Sequence, residues 1–135
     1  MHWIDVRGEG SSWQSFLRGD DDDAMCATAT MFDVGMILKT GGAKNYDTTD
    51  ATKSAHVINI NSDEAVVERT SDMNFKRSMH NAVVLPTGHV VIIGGIEYAW
   101  IFSDFLAVMT AEIWDPSTGE FTVIPLEMRV PRNYH

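Results

Sequence analysis

Short apolar runs separated by turn residues dominate the chain, and they come in groups of four. Residues 26–32 and 36–40 flank a turn of Asp33, Val34 and Gly35; residues 56–60 then alternate Val57, Ile58 and Ile60 with polar neighbours, and 65–69 form a short fourth run. The plan recurs in residues 81–85, a Pro86-Thr87-Gly88 turn, 89–93, 111–114, a turn over 115–119, and 121–124. Runs this short, bounded by glycine, proline and aspartate, predict strands joined as antiparallel hairpins with no substantial helix.

The groups repeat in register. Met73, Arg77 and His80 reappear as Met128, Arg132 and His135, 55 residues on (73 to 128). Gly88, Gly94 and Gly95 follow Gly35, Gly41 and Gly42 by 53 residues (35 to 88). A period near fifty with paired glycines is that of a kelch-type repeat, each unit a four-stranded blade of a β-propeller. The expected architecture is all-β: a partial kelch-type propeller over 1–135, with complete antiparallel blades at 26–69 and 79–125. Parts of flanking blades would lie on either side, the next one starting at 128–135. Residues 1–5 read as the last strand of a preceding blade, followed by a turn through Gly8, Gly10, Ser11 and Ser12. Since propellers need roughly four to eight such units, 135 residues cannot close one. The chain therefore reads as a fragment whose missing blades are its nearest partners.

Composition narrows the function. With 44% hydrophobic and 21% charged residues the chain is globular in type. A net charge of −9 without a basic cluster argues against nucleic acid. No apolar run approaches the ~18 residues of a membrane span. The single Cys26 excludes an internal disulfide and a cysteine-based zinc site within these residues. Asp20 to Asp23 read as a solvated acidic loop, because they lack the alternating ligand spacing of a calcium loop.

Aligning the repeats places Cys26, Met79 and Tyr134 at one equivalent position and Ala27, His80 and His135 at the next. The innermost strand of a blade begins near the propeller axis, so Tyr134 and His135 are expected at the channel mouth. Either they pack between blades, or their phenolate oxygen and imidazole nitrogen form an N,O pair suited to tetragonal Cu(II). His2, His56, His80 and His89 show no ligand spacing toward His135 and read as structural or surface residues. Tyr98, Trp100, Phe102 and Phe105 crowd the connection 96–109, as an interblade plug or as a lip over a pocket. No Gly-x-Ser-x-Gly elbow, phosphate loop or His-Glu-x-x-His occurs.

Asp23-Ala24-Met25-Cys26, Lys39-Thr40-Gly41-Gly42, Asp50-Ala51-Thr52 with Ala55-His56, His80 through Leu85, and Val130-Pro131-Arg132-Asn133-Tyr134-His135 together resemble the glyoxal oxidase and galactose oxidase family of copper-radical oxidases. The resemblance implies one copper ion, with Tyr134 as axial ligand and catalytic base and His135 as a second ligand. A further histidine and a tyrosine cross-linked to cysteine would lie outside this chain, and Cys26 does not match that cysteine. It also implies that Tyr46, Phe102 and Asp47 line the substrate mouth. Asp47 stands where the galactose-specific branch has glutamine, which points away from galactose and toward small aldehydes, as in the glyoxal branch. The implied reaction oxidises small aldehydes or primary alcohols with O2 to give H2O2, and the implied location is extracellular. The competing expectation is a kelch-type module that binds proteins without catalysis.

Overall fold

The computed structural model describes residues 1–14 and 24–133. Two four-stranded antiparallel sheets form its body. The first blade is β3 (Thr28–Asp33), β4 (Met36–Thr40), β6 (Ala55–Asn59) and β7 (Val66–Arg69), hydrogen-bonded in that order. The second is β8 (Ser78–Val84), β9 (Val90–Ile96), β11 (Thr110–Asp115) and β12 (Glu120–Glu127), again in chain order. Two short ribbons complete the described residues: β1 (His2–Asp5) with β2 (Ser11–Gln14), and β5 (Thr49–Asp50) with β10 (Tyr98–Ala99). No helix forms among the described residues.

Turn chemistry sets the hairpins. Asp33 Oδ1 accepts the Val34 amide at 2.7 Å, and Gly35 completes the turn at φ 66°, a value that costs a side-chain-bearing residue about 1–2 kcal/mol. At the β11–β12 turn, Asp115 Oδ1 accepts both the amide and hydroxyl of Ser117, at 2.8 and 2.7 Å. Leu38, Met73, Val90, Ile92 and Trp114 make the buried core between the two sheets, with Phe32, Val57, Ala82 and Phe121 packed against it. Phe32 meets Trp114 edge-on with ring centroids 4.8 Å apart. The middle strands must therefore be apolar on more than one side, as expected where a blade is covered by neighbours on both faces.

Three details differ from the sequence reading. Ser11 and Ser12 are not turn residues but belong to β2, since the turn closes earlier through the Gly10 amide and the Arg7 carbonyl at 3.0 Å. The connections 41–54 and 97–109 are not irregular throughout, because β5 and β10 pair between them. Gly94 and Gly95 lie inside β9 rather than after it.

The two ends of the blades differ in kind. One carries the short turns at 34–35, 60–65, 86–89 and 116–119; the other carries the long connections 41–54, 70–77, 97–109 and 128–133. At that second end successive units interlock. Gly42 donates its amide to the Arg77 carbonyl and Gly95 to the Arg132 carbonyl, each at 2.8 Å. A Cβ on Gly41 or Gly94 would collide with those same carbonyls. The paired glycines recur because the segment entering the next blade lies directly on them.

Candidate functional site

The first strand of each blade enters past the double glycine with a strained residue. Cys26 and Met79, equivalent in the repeat, hold φ at 55° and 57°, and the Met79 amide bonds to the Cys26 carbonyl at 2.9 Å. Thr28 Oγ1 donates to the His80 carbonyl at 2.7 Å, so the two first strands run side by side. Among the described residues Thr48, Phe102 and Leu106 are the other non-glycine residues with positive φ, and they too lie at this end. Strain of this sort is retained where the surroundings over-determine the backbone, commonly at functional sites.

His80 fills the gap that the glycines leave. A Cβ on Gly41 would meet its Cε1 at 2.8 Å and one on Gly95 its Cβ at 2.8 Å. Its Nε2 hydrogen-bonds Thr40 Oγ1 at 2.9 Å, whereas its Nδ1 is buried without a hydrogen-bond partner. Burial, with the Arg77 and Lys39 cations adding, pushes its pKa down to about 3. His80 is thus a neutral packing residue, as expected. His56 is likewise buried.

Tyr134 and His135 lie outside the described residues. The Arg132 carbonyl is docked on Gly95, and Asn133 Nδ2 donates to the Ser103 carbonyl at 3.1 Å and to Asp104 Oδ1 at 2.9 Å. The segment 132–133 is therefore tied to the second blade's glycine pair and to the aromatic connection 97–107.

The ribbon β5–β10 brings in the remaining candidates. Thr49 pairs with Ala99 and Asp50 with Tyr98 in antiparallel register. Tyr46 and Asp47 precede β5, and Phe102 follows β10, so all three leave the ribbon at the same end. Tyr46 is half exposed and Phe102 is 91% exposed. Asp47 Oδ1 is buried with no hydrogen-bond partner, and so is Asn133 Oδ1. Two orphaned acceptors at one end of the blades are unusual, because a buried polar atom left unpaired costs about 1–3 kcal/mol. Among the described residues no group of three His, Cys, Asp or Glu could hold a metal ion.

Sequence reasoning did not find the buried charges beneath this end. Arg77 Nε and Nη2 meet Glu112 Oε1 at 3.1 and 3.0 Å, Nη1 donates to the Gly94 carbonyl at 2.7 Å, and Nη2 also donates to the Thr110 carbonyl. Burial lowers the Arg77 pKa, and Glu112 opposes that shift. Glu112 also accepts the amide and the side-chain amide of Asn74, at 2.6 and 2.8 Å. An acid inside the apolar run 111–114 was the available signal. Asn133 was missed too, since nothing in its spacing marks it as a tether.

No family model matches the chain. It is 35% identical over 130 residues, 90% of its length, to two galactose oxidase sequences from Gibberella zeae. It spans about a fifth (19%) of the length of those relatives. A solved structure described as a fungal alcohol oxidase with catalytic diversity among the AA5 family, in complex with copper, superposes with a TM-score of 0.93 at 37% identity. That match covers 98% of this chain and 28% of the solved one. Over nearly its whole length this chain resembles the galactose oxidase family of copper oxidases, and its two blades superpose on a part of that solved structure.

Proposed function

We propose that the chain forms part of a copper-radical oxidase that converts small aldehydes or primary alcohols, with O2, into oxidised product and H2O2. The observation that carries this reading is the convergence at one end of the blades. The tether Asn133, the orphaned acceptors of Asp47 and Asn133, and the exposed rings of Tyr46 and Phe102 all lie at the end of the blades that carries the long connections.

Donor chemistry supports copper. A phenolate and an imidazole from adjacent residues give the mixed O,N set that Cu(II) accepts in tetragonal geometry. Tyr134 and His135 would hold the metal together with donors from outside this chain, among them a tyrosine cross-linked to cysteine. Copper, when bound, supplies one-electron chemistry that no side chain offers alone. Tyr134 acts as general base, taking the hydroxyl proton of the substrate onto its phenolate oxygen. Asp47 Oδ1 accepts a hydrogen bond from a polar substrate atom, which removes its desolvation penalty. Tyr46 and Phe102 present ring faces that orient the substrate carbon. With a carboxylate at position 47, small alcohols and aldehydes suit this mouth better than galactose. The same reading assigns an extracellular location.

The test is peroxide formation. The full gene product, loaded with copper and oxidised, should release H2O2 from glycerol or methylglyoxal in step with O2 consumption, and chelation should abolish it. A copper-loaded, folded protein that consumes no O2 with either substrate rejects the oxidase and leaves a protein-binding propeller.

A further inference from the structure

Arg132, two residues before Tyr134 in the chain, docks by its carbonyl on a peptide unit that has a buried cation behind it. That unit joins Gly94 to Gly95. Its carbonyl accepts Arg77 Nη1 at 2.7 Å, and its amide donates to the Arg132 carbonyl at 2.8 Å. A peptide is planar, so a cation that fixes the carbonyl also fixes the direction of the N–H on the opposite side. Both flanking residues are glycines at positive φ, 72° and 85°, and glycine places little restraint of its own on how the unit between them is turned. Arg77 supplies that restraint. A hydrogen bond from an ion is short and strong, and it polarises the next bond in line, here the one that the Arg132 carbonyl receives.

Arg77 is itself fixed. Its Nε and Nη2 meet Glu112 Oε1 at 3.1 and 3.0 Å, and its amide donates to the Thr52 carbonyl at 3.0 Å. The Arg77 and Glu112 side chains are 0% exposed, sealed by residues of this chain alone. Burial of that kind persists in any longer chain, so further blades do not reach the pair. The first blade carries the same device: the Gly41 carbonyl accepts Lys39 Nζ at 2.6 Å, and the Gly42 amide donates to the Arg77 carbonyl at 2.8 Å. There the fastened segment leads to His80, a neutral packing residue. In the second blade it is the segment that precedes Tyr134 and His135 in the chain.

We propose that Arg77 is a positioning residue for the copper site: through the Gly94–Gly95 peptide it sets the backbone two residues before Tyr134, and with it how well Tyr134 and His135 meet the metal. This deepens the oxidase reading and rests on it.

The test uses the full gene product and the pair variant Arg77→Met, Glu112→Leu, which removes the cation without leaving a buried charge unpaired. Two quantities are measured: the Cu(II) dissociation constant, by competition with a chelator, and hydrogen exchange across residues 94–96 in the copper-free protein. Copper should bind about ten-fold more weakly in the pair variant, and a dissociation constant within about two-fold of the unaltered protein's overturns the proposal. Exchange across 94–96 should be faster in the same variant. Lys39→Met breaks the same kind of bond one blade earlier and should leave copper binding unchanged; an equal weakening there would show general loosening in place of positioning, and would also overturn the proposal. Should the unaltered protein bind no copper, the oxidase reading fails separately, and exchange decides whether Arg77 positions the segment: faster exchange in the pair variant upholds it, and unchanged exchange refutes it. Where the pair variant does not fold, Arg77→Met with Glu112→Gln, which keeps an acceptor for Asn74, is judged by the same two measurements.

Discussion

The two blades place a buried cation on the same carbonyl and hold it by different means. In the second blade Arg77, on the incoming segment, donates to the Gly94 carbonyl and reaches Glu112 on β11. The first blade has Ala24 at the position of Arg77, by the 53-residue shift that relates Cys26 to Met79. There Lys39, on β4, donates its Nζ to the Gly41 carbonyl at 2.6 Å, and His56 stands at the register position of Glu112. The double glycine turns a carbonyl into the interior, and each blade must satisfy it. An arginine can do so while also binding a carboxylate and a second carbonyl, which locks three segments together. A lysine satisfies the carbonyl as a point charge, without the arginine's fixed fork of donors.

Breaking the second blade's lock should have the largest effect. Arg77→Ala leaves Glu112 buried without its cation and should cost about 3–5 kcal/mol of unfolding free energy. Replacing both partners by Met and Leu should recover much of that. Urea unfolding of the three proteins checks it; equal losses in the single and double variants would show that packing, not charge, sets the cost.

Gly94→Ala comes next. The added Cβ strikes the Arg132 carbonyl at φ 72°, which should cost about 2–4 kcal/mol and detach the segment 128–133. Gly88→Ala, where the nearest atom is 3.8 Å away, should cost about 1–2 kcal/mol from backbone strain alone. Hydrogen exchange at the Gly95 amide reports whether the segment has detached.

Lys39→Met tests the weaker lock. Losing the hydrogen bond to Gly41 should cost about 1–3 kcal/mol, less than Arg77→Ala. A larger loss would reverse the ranking of the two blades.

The acid response of His80 is small near pH 6 and accumulates as the pH falls. Its folded pKa of about 3 lies below that of a free imidazole, so between pH 6.5 and 3 the unfolded chain binds a proton that the folded chain refuses. Stability from this group is fully present above pH 6.5 and is lost as pH falls, by at most about 1.4 kcal/mol per unit. His80→Ala, although less stable at pH 7, should show a shallower decline between pH 6.5 and 5. Parallel declines would remove His80 from the account.

The blades were legible because their causes are local. Gly35, Gly88 and Gly119 turn hairpins, and strand alternation shows in residues 56–60. The repeat of Met73, Arg77 and His80 could be read as spacing, but not the reason for it. Arg77 pairs with an acid 35 residues away, and its carbonyl, rather than its side chain, docks on the glycine of the preceding blade. The ribbon β5–β10 was not legible, because two residues on each side carry no alternation and 48 residues separate Asp50 from its partner Tyr98. Tyr46, Asp47 and Phe102 were proposed through a family resemblance, and the ribbon carries all three to the same end. The aromatic connection carrying Trp100 and Phe105 was visible only as two readings, plug or lip, because sequence shows which rings crowd a segment but not what packs on them.

The measurement that bears most directly on the central claim is the electron paramagnetic resonance of Cu(II) in the full gene product, compared with Tyr134→Phe and His135→Ala. The account predicts an axial, tetragonal signal with nitrogen superhyperfine structure that weakens in His135→Ala. It further predicts altered g values in Tyr134→Phe, with peroxide production lost in both. Spectra and turnover unchanged in both variants would contradict it, and would place any copper elsewhere in the protein.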